Sequence, residues 1–156
     1  MDERENRAWR GFQRLRTDLG AHLARQLAQE CGLTEADYAV LVAVSEAPDQ
    51  RIRSRDLCQT LRWERSRLSH QIARMEARGS VRRAPCEADA RGFDVLLTDA
   101  GRAAIEAAAP IHLAAVRHCF VDLLTPQQLD VLGEIATTVT GHIAAQHCQA
   151  SGVEES

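Results

Sequence analysis

Eleven of the 19 basic residues in this chain of 156, all of them arginine, lie between Arg51 and Arg91, and only five acids interrupt them. That window carries a net charge of +6, while the remainder, with 8 arginines against 17 acids, carries −9. The same stretch has a clear order: two short helical patterns, a glycine stop, then an alternating basic hairpin that closes on Leu97-Thr98. Few folds accommodate two short helices and a charged hairpin between long helices. A positive patch of this density attracts phosphate backbones through counterion release, even in a chain whose overall charge is −3.

The flanking segments supply the long helices. Residues 4–29 place Trp9, Phe12, Leu15, Leu19, Leu23 and Leu27 at three- and four-residue steps, which makes one apolar stripe on an amphipathic helix. Cys31-Gly32 ends it. Thr34 is the expected cap of a second helix, with Asp37 at its third position, running through Tyr38, Leu41, Val42 and Val44 to Ala47, where Pro48-Asp49 breaks it. Ser54 is expected to cap a short helix over 55–61, with Leu57, Cys58 and Leu61 inward, and Arg62-Trp63 to form a turn.

Residues 64–78 form the next helix, with Leu68, Ile72 and Met75 on the buried side and Gly79 as its left-handed stop. Two strands, 81–86 and 92–97, flank a loop at 87–91. Thr98 caps a long helix to about Leu124, kinked at Pro110, and Thr125-Pro126 opens a last helix over 126–147. Residues 149–156 read as a frayed tail. The expected fold class is all-α with a small β-wing: a winged helix-turn-helix with N- and C-terminal dimerisation helices. Its divisions are 1–32 (dimerisation), 33–98 (DNA binding), 99–148 (dimerisation) and the tail.

A helix fits the major groove, where the residues of its exposed N-terminal half meet base edges. On the helix 64–78 the outer face is expected to carry Arg65, Ser66, Arg67, Ser69, His70, Gln71 and Arg74. Arg65 or Arg67 suits guanine, Ser66, Ser69, His70 and Gln71 suit bases or phosphates, and Arg74, Arg53 and Arg55 suit the backbone. Arg91, at the hairpin tip, is placed to enter a minor groove, with Asp89 shaping the loop.

These residues resemble the MarR family of bacterial transcriptional regulators. The likeness rests on Leu57…Leu61-Arg62-Trp63-Glu64-Arg65-Ser66-Arg67-Leu68-Ser69…Ile72…Met75-Glu76…Gly79, and on the wing pattern Asp89-Ala90-Arg91…Leu97-Thr98…Gly101. The resemblance implies a homodimer whose terminal helices interlock and present two winged domains to a pseudo-palindromic duplex. It also implies a ligand-responsive repressor, with pockets between the dimer helices and the winged domain for a small aromatic or anionic effector. Trp9, Phe12, Arg16, His22, Tyr38 and His112 are the candidate lining residues.

Two alternatives stand beside this reading. One is a redox-responsive regulator of the same fold, using Cys86 or Cys148, with Arg82 or Arg83 lowering the thiol pKa of Cys86. The other is a protein-interaction module whose basic face is incidental. Five widely spaced cysteines without a C-x-x-C pair argue against a disulfide framework or a zinc knuckle. Metal sensing could use His112, His118, His142 and His147, but His142 and His147 are five apart, which is poor for one helical face, and no carboxylate is obviously paired with them, so no metal and no cofactor is expected. No Gly-x-Ser-x-Gly elbow or phosphate-binding glycine loop appears, so no enzyme activity is expected. No apolar run approaches the ~20 residues of a membrane span, and the charged N-terminus does not read as a signal peptide. The expected location is the cytoplasm.

Overall fold

The computed structural model describes residues 1–85 and 92–151, with side chains to residue 146. The chain forms two compact units, residues 1–115 and 116–156.

The first unit opens with α1 (Glu3–Gln26), started by a reciprocal capping box between Asp2 and Glu5. One wider π-type turn, Leu27–Cys31, follows, and Gly32 ends it in the left-handed region at φ 64°. α2 (Glu35–Ser45) begins at Thr34, whose hydroxyl accepts from Asp37 N at 3.1 Å while Asp37 Oδ2 accepts from Thr34 N at 3.1 Å. This is the box expected from Thr34 and Asp37.

A short strand, β1 (Arg51–Arg53), then leads into α3 (Ser54–Leu61), α4 (Arg65–Ala77), β2 (Val81–Pro85), β3 (Phe93–Leu97) and the N-terminal part of α5 (Asp99–Cys119). The strands form an antiparallel sheet in the order β1-β3-β2, with Arg53 opposite Asp94 and Val81 opposite Leu97. β1 is a correction to the two-stranded hairpin expected from sequence. Three residues, Arg-Ile-Arg, are too few to show alternation, and they become a strand only by pairing with β3 far along the chain. Ser54 is a second correction. It is the first residue of α3 rather than its cap, and its hydroxyl accepts from Phe93 N at 3.4 Å.

The core lies between α2, α3, α4, the sheet and the start of α5. Val40, Leu41, Val44, Leu57, Ile72, Met75 and Val95 have no measurable exposure. Each such side chain contributes roughly 1.5–3 kcal/mol relative to an exposed position. Leu57, Leu68, Ile72 and Met75 are the inward residues the helical spacing selects, while Cys58 and Leu61 are only half-buried. Thr98 caps α5, its hydroxyl accepting from Gly101 N at 3.0 Å and donating to Gly79 O at 2.6 Å.

α5 continues through Pro110 and ends at Cys119 rather than near Leu124, because Phe120 leaves the helical region. In the second unit a short 3₁₀ turn, Val121–Leu123, precedes α6 (Pro126–Ser151). Thr125 and Gln128 cap α6 reciprocally, at 2.9 and 3.2 Å. No single helix among the described residues is long and apolar enough to cross a membrane.

Candidate nucleic-acid interface

Two local devices aim α4. Arg62 adopts a left-handed conformation at φ 53°, which turns the chain sharply after α3, and Trp63 N closes the turn on Cys58 O at 3.0 Å. Glu64 is extended and starts α4. Leu68, Ile72 and Met75 then anchor its inner face. The opposite face leaves Arg65, Ser66, Arg67, Ser69 and His70 exposed together, as the helical period requires.

Gln71 does not join them. It is 2% exposed and its Nε2 donates to Asp37 Oδ1 at 2.6 Å, so its place on the outer face is corrected. The Gln71 Oε1 is also taken, by a hydrogen bond from Arg74, which is itself exposed. Asp37 additionally pairs with Arg78 at the end of α4. Burial would raise the Asp37 pKa, but hydrogen bonds from the Thr34 hydroxyl and N–H and the Arg78 guanidinium outweigh it and hold the carboxyl below its ordinary value.

Arg67 stacks over the Trp63 ring, 4.2 Å from its centroid. The aromatic face attracts the guanidinium and limits its rotamers without occupying its donors. Arg83, on β2, is used structurally. It lies 4.7 Å from the Phe93 centroid, donates to Ser69 O at 3.1 Å and pairs with Glu76, which ties the sheet to α4. A shallow groove of about 300 Å³ brings Arg55, Arg65 and Ser69 together beside Phe93 at the base of the hairpin. Arg53 is exposed on β1, where Arg51 bonds Asp94 at 2.6 Å. Sequence reasoning placed Asp37 only in the start of α2 and Trp63 only in the turn, and missed the contacts of Asp37 with Gln71 and Arg78 and of Trp63 with Arg67. The second had a signal, since Trp63 and Arg67 are four residues apart. Asp89 and Arg91 lie outside the described residues, as do Cys86 and the Cys148 side chain.

Of the six residues named for an effector pocket, the structure brings together Tyr38 and His112, whose ring centroids are 4.6 Å apart. Both line a cavity of about 430 Å³ between α1, α2, α3 and α5. Trp9, Phe12, Arg16 and His22 do not line it; they are exposed along α1, with Trp9 stacked on Phe12. Burial pushes the Tyr38 hydroxyl up and the His112 imidazole down, the latter partly offset by Glu35. Burial likewise raises the Cys58 thiol pKa, which makes it a poor nucleophile. Among the described residues no cluster of histidines, cysteines and carboxylates could hold a metal ion.

Two short helices joined by a tight turn, followed by a sheet that packs against the second helix, define a winged helix-turn-helix protein. The MarR family model matches residues 32–92. AbsC, a MarR family transcriptional regulator from Streptomyces coelicolor, is 39% identical, superposes with a TM-score of 0.89, and is matched over 93% of this chain and 97% of its own. Sco3205, a MarR family transcriptional regulator from the same organism solved in complex with DNA, is 40% identical with a TM-score of 0.86, over 90% of this chain and 88% of its own. The transcriptional regulator HosA of Escherichia coli is 35% identical over 102 residues, 65% of this chain and 74% of its own. The chain belongs to the MarR family of transcriptional regulators, not to a family of enzymes.

Proposed function

We propose that this protein is a sequence-specific, double-stranded DNA-binding regulator, a ligand-responsive repressor that acts as a homodimer on a pseudo-palindromic operator. The observation that carries the reading is the exposed N-terminal face of α4. Arg65, Ser66, Arg67, Ser69 and His70 converge there, with Arg55 beside them. The DNA complex of Sco3205, similar along nearly the whole chain, supports it. In this reading Arg65 and Arg67 contact bases, Ser66, Ser69 and His70 contact bases or phosphates, and Arg53, Arg55 and Arg74 hold the backbone. Arg91 enters the minor groove, with Asp89 shaping its loop, on the strength of the sequence pattern alone.

Dimerisation rests on unpartnered apolar surface. In the first unit Trp9 (52% exposed), Phe12 and Leu15 line one side of α1, and in the second Val131, Ile135 and Val139 line one side of α6. A lone protomer would leave these stripes in water, whereas a two-fold interface buries them twice. Residues 1–32 and 99–148 then supply the dimer, and 33–98 reach half-sites ~34–36 Å apart. The cavity beside Tyr38 and His112 is the effector site.

The test pairs mass with binding. Light scattering should return twice the 17.2 kDa of one chain. Genomic fragments retained by the protein should share an inverted repeat and be released steeply as salt rises. Arg91→Ala should lose most affinity on sites with A·T-rich flanks. A protein that stays single and ignores duplex at low ionic strength ends the proposal.

A further inference from the structure

We infer that Gln71 is a positioning residue for DNA binding: its buried side-chain amide links Asp37 to Arg74 and holds the Arg74 guanidinium ready for a backbone phosphate. This rests on the reading above, in which Arg74 holds the DNA backbone.

The three groups form a chain that runs from the core to the surface. Asp37 and Gln71 are each 2% exposed, and Gln71 Nε2 donates to Asp37 Oδ1 at 2.6 Å. Arg74, exposed and about one turn further along α4, donates from Nη2 to Gln71 Oε1. The ends fix the direction of the chain. An ionised carboxylate only accepts and a guanidinium only donates, so the amide between them has a single orientation that satisfies both. Each end is also charged, which strengthens its bond, and an amide that donates to an anion becomes a better acceptor at its oxygen.

Arg78 provides the contrast. It pairs directly with Asp37, so its charge is neutralised within the protein. Arg74 reaches the same carboxylate only through a neutral amide, and among the described residues it pairs with no carboxylate directly. Its positive charge and its remaining N–H donors are left for a ligand, and phosphate is an anion that the guanidinium fork matches. A free arginine loses rotamer freedom when it closes on a phosphate, and one already tethered loses less. Arg74 also stands about two turns beyond Arg67, on the same line of α4. Arg67 is steadied by Trp63 one turn before it, and Arg74 by Gln71 one turn before it.

The probe is a fluorescein-labelled duplex carrying the inverted repeat recovered from the retained genomic fragments. Full-length protein is titrated into it at several salt concentrations, with anisotropy as the readout. Arg74→Ala should weaken binding about tenfold, evenly across single-base variants of the repeat, and lower the salt slope by about one for each α4 on the duplex. Gln71→Met keeps the side-chain length and the helix propensity but removes both hydrogen bonds. Arg78, Leu68, Ile72 and Met75 still seat the helix. This variant should weaken binding about threefold to fivefold, again evenly, and should cause no further loss in the Arg74→Ala background. In the free parent protein the Arg74 Nε–H order parameter should lie nearer the ~0.85 of a rigid group than the ~0.6 of a flexible one.

An equal loss from Gln71→Met in both backgrounds, or a loss concentrated at particular base positions, would mean that Gln71 seats the helix and does not act through Arg74. The order parameter decides the matter should Gln71→Met not fold: a value below ~0.6 in the parent overturns the inference. Unchanged affinity and salt slope in Arg74→Ala would remove the phosphate contact and the inference with it, while duplex binding by the parent would leave the DNA-binding reading standing. A parent protein that binds no duplex at low salt ends both.

Discussion

Asp37 and Gln71, 34 residues apart, are each 2% exposed and are joined by a 2.6 Å hydrogen bond from Gln71 Nε2 to Asp37 Oδ1. The bond pins α2 to the middle of α4. Arg78 holds the same carboxylate near the end of α4, and Arg74 reaches the Gln71 carbonyl from the surface. One buried acid thereby fixes the roll of the helix that presents Arg65 and Arg67. The other side of α2 lines the cavity of about 430 Å³ through Tyr38 and Val42, so one helix borders both that cavity and α4.

Asp37→Ala removes the capping box of α2, strands the Gln71 amide and frees Arg78. The expected cost is about 2–4 kcal/mol, dominated by the buried donor left unsatisfied. Urea denaturation should show a lower midpoint with an unchanged slope. A double-mutant cycle with Gln71→Leu should give less than additive losses, since the two substitutions remove the same bond. Additive losses would mean that the pair does not act together.

Stability should fall in acid through this same group. The Asp37 pKa lies below its ordinary aspartate value in the fold, so the unfolded chain binds the proton more readily. The contribution is complete above the unfolded value of ~3.9 and is lost as pH drops through the depressed folded value. Midpoints measured across the acid limb should fall less steeply for Asp37→Asn than for the parent. An identical slope would remove Asp37 from the acid response.

Arg67 and Trp63 should be coupled in DNA binding. Arg67→Ala is expected to cost ~1–3 kcal/mol and to relax preference at one base position, as for a fork on guanine. Trp63→Leu removes the stacking face beneath the guanidinium, and a loss of roughly 0.5–1 kcal/mol follows with Arg67 still present. Competition binding against single-base operator variants reads both. A uniform loss across all sequences after Arg67→Ala would make it a phosphate contact instead.

Gly101 is required by close approach rather than by its backbone angle. A Cβ at this position would meet Ser80 O at 1.9 Å, where the first turn of α5 crosses the start of the wing. Gly101→Ala has to move backbone against backbone, and overpacking of this kind costs about 1–3 kcal/mol or more. A thermal midpoint at or above that of the parent would refute the contact.

The features legible from sequence were those whose cause is local. Leu68, Ile72 and Met75 bury together because they recur at the helical period, and the Thr34–Asp37 box follows from two residues three apart. The left-handed Gly79 stop and the Thr98 cap are of the same kind, as is the cluster of exposed Arg65, Ser66, Arg67, Ser69 and His70.

Gln71 was misplaced because it borders the apolar stripe, and a polar residue there reads as solvated unless a buried partner is known. That partner, Asp37, sits on another helix. β1 escaped notice because its hydrogen bonds come entirely from β3.

The chain's own order of residues determined its helices, most of their caps though not that of α3, the basic face and the family. The tertiary structure alone decided which polar groups are sealed inside, that Tyr38 and His112 share a cavity while Trp9 and Phe12 do not, and how α4 is locked in place. Helical period and capping act over one turn of backbone. Burial of a carboxylate against an amide, or of an imidazole against a phenol, depends on segments that meet only when the chain has folded.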